Sequence, residues 1–378
     1  EGVDIRTLSR NEKVDGTDLT LAIDERLQAA IEYILSAGLE TLSTKRASVI
    51  AMQPDTGEIL ALVSYPSYDA NLFTDGISTE AYAALVNDPN TPLFPRATSG
   101  GYPSGSTIKP VYAAAALMER IIEPSTSFFS SGGIWVGPKF YPDWRAGGHG
   151  ATNVYHAIAD SVNTFFYIIG GGNESFSGMG LETLMRYAAL FGLGSPSGID
   201  LPNELAGFLP SKAWKEETKG EQWYIGDTYN VSIGQGDLLV SPLQIARSTA
   251  VFANGGNLVT PHLSLAAPTE TVDILPDDVY EVVRDAMRQT ITNGSGTMLN
   301  GLPVDVAGKT GTAQWSNAAP PHSWFTGFAP FDDPEIVITV IIEQGGDHAL
   351  ALPISYKIFD WWYENRQRDL EEQQGVND

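Results

Sequence analysis

Three short stretches combine residue types that can do chemistry together. In the segment Gly101–Pro110, Ser106 and Lys109 stand three positions apart. Pro103, Ser104 and Gly105 are turn-formers, and the run Thr107–Met118, Ala-rich in its second half, predicts a helix. Pro110 fits the first turn of that helix, where its missing N–H would have no partner anyway. Ser106 and Lys109 then share one face, beside free backbone N–H groups and a partial positive charge. That combination can make an alcohol nucleophilic. An N-cap serine followed by a surface lysine has the same spacing. Roughly one Ser-x-x-Lys is expected by chance in a chain of this size, so other residues must decide between the two.

The second stretch is Ser161-Val-Asn163, inside or at a break of a helix predicted to start near Asn153. On a short turn, the hydroxyl can relay a proton while the amide holds a substrate amide. Two ordinary helix residues would look the same, and Ser9-Arg-Asn11 repeats the pattern. The third stretch, Lys309-Thr-Gly-Thr312, falls on a predicted strand. Alternation puts Lys309 and Gly311 on one face. Gly311 leaves room for a neighbouring backbone, and the Thr310 and Thr312 hydroxyls can meet a carboxylate. A strand with a glycine bulge is the plainer alternative.

The elements that must position these residues follow from apolar spacing. Asp18–Ile23 alternates and predicts a strand, and Asp24 caps a helix with Leu27, Ala30, Ile31, Ile34 and Leu35 on one face. Ala47–Gln53 and Glu58–Ser64 flank Pro54-Asp-Thr-Gly57 as a hairpin. Pro66–Gly101 is loop-like, apart from a helical patch at Thr79–Val86. Phe128–Gly150 reads as a loop, and Asn153–Ile169 and Leu181–Phe191 as helices. Gly192–Asp237 reads as irregular. Ser241–Asn254 and Val279–Thr292 are amphipathic helices. Strands follow at Val304–Trp315, Ser323–Ala329 and Ile336–Glu343, then a helix from Ile354 to about Gln373. The fold class is α/β (α+β). An antiparallel sheet is built from both ends of the chain, terminal helices pack on it, and a helical region fills the middle. Ser106 would lie where the two halves meet, a usual place for a cleft.

Composition narrows the function. With 43% hydrophobic and 18% charged residues in 378, the chain is globular. It carries 22 basic against 46 acidic residues, a net charge of −24, and has no Lys/Arg cluster that could serve a nucleic acid. Any anionic substrate must therefore be met by a few locally placed cations. The absence of cysteine excludes disulfides, thiolate catalysis and Cys-ligated zinc. No apolar run approaches the ~18 residues of a membrane span. The chain opens on Glu1, which suggests a fragment whose signal or anchor lies upstream.

Taken together and in this order, the three stretches match the signature of β-lactamases and penicillin-binding proteins. The flanking segments narrow the resemblance. Asp143-Trp144 before Gly148-His-Gly150, Ile233-Gly-Gln-Gly236 before Ser241-Pro-Leu-Gln244, and His322–Pro330 are similar to the penicillin-binding protein 2 family. These are monofunctional class B peptidoglycan D,D-transpeptidases of the cell-elongation machinery. The likeness runs from about Asp18 to Tyr363. It implies a β-lactamase/transpeptidase-like fold with a five-stranded antiparallel sheet. The sheet part would span about 18–65 and 300–378, the helical part about 66–299, and residues 1–17 would be a linker or a pedestal remnant.

Carried over residue by residue, the resemblance makes Ser106 the nucleophile and Lys109 its base, kept off water and partly neutral. Ser161 would shuttle a proton and Asn163 orient the substrate backbone. The Ser106 and Thr312 N–H groups would form the oxyanion hole. Lys309, Thr310, Gly311, Thr312 and Gln314 would receive the substrate or a β-lactam, with Lys309 staying charged. No cofactor is implied. The implied partners are peptidoglycan stem peptides, β-lactams, a membrane glycosyltransferase and elongation-complex proteins. The implied location is the extracytoplasmic face of the cell membrane, this chain being the soluble domain without its anchor.

The chain departs from the family pattern at Ser104, where Pro is usual, and at Pro95, where Asn usually precedes Arg96-Ala97. Some relatives bind zinc with two Asp, one His and one Cys. Asp143 and His149 match two of these, but Val162 stands where the Cys would be, so the expectation is an Asp–His pair tying down a loop and no metal. His322 is expected at a strand start or cleft rim. Hydrolysis by a carboxypeptidase or β-lactamase uses the same residues, but no Glu-x-x-x-Asn follows the second motif. An antibiotic sensor or a dead scaffold is a further alternative.

Overall fold

The computed structural model describes residues 15–316, 318–346 and 350–375. Ile336–Ile342 is the middle strand of a five-stranded antiparallel sheet. The sheet order is Ile59–Tyr65, Ala47–Met52, Ile336–Ile342, His322–Ala329, Ala307–Ala313. The middle strand is apolar throughout, except for one threonine, because both its faces are buried. Ile336, Ile338, Val340 and Ile342 join a rear core with Leu27, Ile31 and Leu35 of the N-terminal helix Glu25–Leu39. Ile354, Ile358 and Phe359 of the C-terminal helix Ala351–Gly375 complete that core. Val337 and Ile341 face the front core, which includes Leu243 and Ile245 of the helix Pro242–Ala250. Each such side chain stabilises the fold by about 1.5–3 kcal/mol relative to exposure.

Thr339, the one polar residue of the strand, faces the front. Its hydroxyl meets that of Thr326 at 2.7 Å, and Thr326 meets Thr249 at 2.8 Å. Buried hydroxyls are thereby satisfied by one another, because each can both donate and accept.

The two edges of the sheet are treated differently. At Ile59–Tyr65, Gln28 of the N-terminal helix accepts from Leu62 N (2.9 Å) and donates to Leu62 O (3.3 Å), which blunts the edge. At Ala307–Ala313 the edge borders a cleft. Just past the middle strand, Glu343 accepts from buried Arg96 (2.9 Å) and from Tyr102 (2.8 Å), and pairs with Arg46 at 3.1 Å. Arg96 also donates to Asn90 O and Thr91 O. A lone buried charge would be costly, so this network holds the segment leading to Ser106 firmly against the sheet.

Four local expectations are corrected. Asp18–Ile23 makes only one isolated bridge, Leu21 to Ser264, and Leu19 and Leu21 remain exposed. Only the end of its apolar face is covered, where Ile23 packs half-buried against the front core. Phe128–Gly150 holds short paired strands, Phe128–Ser130 with Gly150–Thr152 and Gly133–Val136 with Lys139–Pro142. Within Gly192–Asp237, Lys212–Lys219 and Ile225–Ser232 are helical, the first capped by Ser211 and the second by the Asp227 carboxylate at Tyr224 N. The helix expected over Asn153–Ile169 is two helices, Val154–Ala159 and Asn163–Gly171. A further short pair, Asn257–Val259 with Thr271–Asp273, had no clear sequence signal. Residues 1–14, which carry most of the expected linker, lie outside the described residues.

Candidate active site

Ser106 lies in a single 3₁₀ turn, Gly105–Ile108, and Lys109 begins the α-helix Lys109–Met118 directly after it. The turn is tighter than a plain α-helical start because of its neighbours. Gly105 has φ +53° and donates to Gly234 O at 2.9 Å. A Cβ at Gly234 would stand 2.1 Å from Gly105 O, so only glycine admits this contact. A Cβ at Gly105 would meet Thr312 O at 2.7 Å, so the turn presses directly on the cleft-edge strand. Ser104 is buried, with its hydroxyl on Gly105 O at 3.3 Å. Nothing in the structure explains why it replaces the family's proline.

Ser161 sits in the break between two helices, at φ +56°. A left-handed serine costs roughly 1–3 kcal/mol, so the surroundings must enforce it. Asp143 caps the second helix, accepting from Asn163 N (3.1 Å), Thr164 N (2.9 Å) and the Thr164 hydroxyl (2.7 Å). From the other side, the Lys109 ammonium reaches Ser161 O at 2.8 Å, Ser161 Oγ at 3.3 Å and Asn163 Oδ1 at 2.7 Å. The first two motifs are thus joined through one lysine nitrogen.

Lys109 is fully buried, with its nitrogen 5.2 Å from the centre of the Phe166 ring. Burial lowers its pKa from 10.5 to about 7, against the opposing pull of the Asp143 charge. Burial also works against the charge on Asp143, yet the Thr164 and Asn163 hydrogen bonds and Lys109 outweigh it and hold the carboxyl below its usual range. Lys309 is equally buried and donates to Thr310 O at 3.0 Å. Burial, followed by the nearby Lys109 charge, drives its pKa well down.

Between these elements lies a cavity of about 490 Å³. Ser106, Ser161, Asn163, Thr310, Gly311, Thr312 and Gln314 all line it, while Lys109 and Lys309 lie beneath its surface. Three stretches more than fifty residues apart in sequence therefore converge on one cleft. Trp144, Ile233, Gln235 and Ser295 line it as well and were not singled out by their chemistry. Gln235 donates to Thr312 O at 3.1 Å and accepts from Gln314 N at 3.1 Å, so it clasps the free edge of the strand. The glycines flanking Gln235 were the available signal. Ser295 had none.

His322 begins its strand, buried, with Nδ1 accepting from Gln344 N at 3.1 Å, and burial lowers its pKa to about 4. His149 lies 3.7 Å from Asp143, and neither ring nitrogen has a hydrogen-bond partner. Burial lowers its pKa, which favours the neutral ring. Zinc needs more donors than this pair supplies. The Asp143 oxygens already serve Asn163, Thr164 and Trp144, and Val162 is apolar. Among the described residues, no group of three His, Cys, Asp or Glu is gathered there. These residues do not fit a zinc site.

The sequence matches the model of the penicillin-binding protein transpeptidase domain over residues 47–360. It is 37% identical to the peptidoglycan D,D-transpeptidase MrdA of Haemophilus influenzae, over 97% of this chain and 59% of that protein. The chain thus spans about three fifths of the length of that relative. Penicillin-binding protein 2 of Helicobacter pylori superposes with a TM-score of 0.83 at 31% identity, covering 92% of this chain and 64% of that one. That protein has also been solved in complex with MreC. Penicillin-binding protein 2 of Pseudomonas aeruginosa, in complex with WCK 5153, gives a TM-score of 0.82 at 33% identity, covering 92% and 79%. With the family model spanning most of its length and its motif residues gathered around one cleft, this chain belongs to the penicillin-binding protein transpeptidase family.

Proposed function

We propose that this chain is the catalytic domain of a peptidoglycan D,D-transpeptidase that cross-links stem peptides through an ester on Ser106. The observation that carries this reading is the Lys109 nitrogen, dehydrated and held by Ser161 and Asn163 at the start of the helix that directly follows the Ser106 turn. A neutral amine has two protons. Donated along its two shortest contacts, to Ser161 O and Asn163 Oδ1, they leave the lone pair free for a hydroxyl proton.

In this reading Lys109 takes the proton of Ser106 as its Oγ attacks the carbonyl of the penultimate D-Ala. The oxyanion forms against the Ser106 and Thr312 N–H groups, where one donor is typically worth ~10²–10³ in rate. The C–N bond then breaks, Ser161 relays the proton to the departing D-Ala amine, and Ser106 carries the acyl group. An amine of a second stem peptide attacks this ester and Ser106 regains its proton. Lys309, Thr310, Gly311, Thr312 and Gln314 receive the terminal carboxylate, whose arrival favours the charged form of Lys309. Asn163 orients the acylated backbone.

The sheet part, about 18–65 and 300–378, supplies the strand edge, and the helical part, about 66–299, supplies the Ser106 and Ser161 motifs. In the full-length protein we place this domain on the extracytoplasmic face of the cell membrane, with elongation-complex proteins and a glycosyltransferase as partners. The complex of the Helicobacter pylori protein with MreC supports that assignment. Among the described residues of this chain, no helix is long and apolar enough to cross a membrane.

The test is covalent labelling with a fluorescent penicillin. A stable adduct is expected on the unsubstituted chain and none on Ser106→Ala. No adduct on the former, or one on the latter, would sink the assignment. Rapid multiple turnover of benzylpenicillin would replace transferase by hydrolase.

A further inference from the structure

Ser295 comes from the loop after the helix Asp277–Thr292 and belongs to none of the three motifs, yet it lines the cleft. Its hydroxyl lies 2.7 Å from that of Thr310. Its position is set from several sides. Ser295 N donates to Ala159 O at 3.0 Å, two residues before Ser161, and Gly296 N donates to Thr290 O at 2.9 Å. A Cβ on Gly294 would stand 2.3 Å from Ala159 O, so the loop packs backbone to backbone on the end of the Val154–Ala159 helix. The loop thus bridges from the end of that helix, two residues before Ser161, to the cleft-edge strand.

The Thr310 hydroxyl has one proton and two lone pairs. If it donates to Ser295, a carboxylate in the cleft meets only lone pairs there. If Ser295 donates to it, its proton is free for an acceptor-only group. We propose that Ser295 is a positioning residue that orients the Thr310 hydroxyl toward the substrate carboxylate and so favours anionic over neutral substrates. The hydroxyl chain runs Ser295 to Thr310 to carboxylate, and each bond polarises the next. A neutral substrate, lacking the anionic acceptor, gains much less from that alignment. This inference rests on the acyl-enzyme reading above.

The test compares benzylpenicillin with its methyl ester, measured as second-order acylation constants in competition with a fluorescent penicillin. Ser295→Ala should lower the constant for the acid about tenfold, in keeping with a hydrogen bond to a charged group, and leave the ester within about twofold. Ser295→Thr, which keeps the hydroxyl, should restore the acid. Thermal unfolding of each variant guards against a general loss of fold. Acid and ester falling by one factor, no change in either, or no rescue by threonine would overturn the inference. An unsubstituted chain that forms no adduct overturns the transferase reading and this inference with it. An adduct whose acid-to-ester ratio is unmoved in Ser295→Ala overturns this inference alone.

Discussion

Behind the sheet, Ile338 and Val340 meet Ile31, Leu35, Ile358 and Phe359, all of them apolar and buried. At the cleft edge, two buried lysines, a left-handed serine and a glycine-to-glycine contact occupy a comparable depth. The rear core derives its stability from area and volume, so many apolar residues of similar size would serve. The cleft edge does not work that way. Its groups are held at specific distances against desolvation and backbone strain. Stability and activity should accordingly separate on substitution.

The largest separation is expected at Lys109. Replacing it by alanine should slow acylation about 10²–10⁴-fold among molecules that remain folded, followed by quenched-flow labelling. An unchanged rate would remove it as the base. In the rear core, Ile338→Ala should behave oppositely, costing about 2–5 kcal/mol in denaturant melts while labelling per folded molecule stays the same. If the acylation rate fell with stability, the two regions would be coupled after all. Gly234→Ala lies between them. Its Cβ would stand 2.1 Å from Gly105 O, displacing the Ser106 turn, and acylation should fall about 10²-fold, as a misplacement of around 1 Å does.

The smallest effects are in pH. The Lys109 pKa is lowered from 10.5 to about 7, so its neutral form, the one the proposed mechanism needs, prevails above that pH. Acylation should fall about tenfold per unit below the break and flatten above it. A profile without a break between pH 5 and 9 would contradict this. The Asp143 charge raises the Lys109 pKa, so Asp143→Asn should move the break to lower pH, whatever it does to the maximal rate. A break that stays put or moves upward would show that Asp143 acts only as a helix cap.

The rear core and both its helices could be read from the chain. Asp24 before a 3.6-residue apolar period and Ile336–Ile342 between two glutamates are local signals, and burial only reinforced them. Asp18–Ile23 carried an equally regular alternation and makes only an isolated bridge, with Leu19 and Leu21 left exposed and only Ile23 packed against the core. The helices in Gly192–Asp237 were missed for a related reason. Each is only eight residues long, too short for a period to stand out in the sequence, and the two are tied together by the Lys215–Asp227 pair at 2.7 Å.

Composition excluded cysteine chemistry and a basic nucleic-acid face, and the order of the three motifs selected the family. Spacing alone also put Ser106 and Lys109 on one helical turn. Tertiary structure decided everything that depends on distance between remote residues. It brought Lys109 to Ser161 and Asn163, and it removed both lysines from water, so that burial pulls both pKa values below that of a free lysine. It also delivered Ser295 to the cleft from a segment that carried no signal, and Gln235 from one marked only by its flanking glycines. The physical reason is range. Periodicity and capping act over a few residues, whereas desolvation and hydrogen-bond geometry depend on neighbours that only folding supplies.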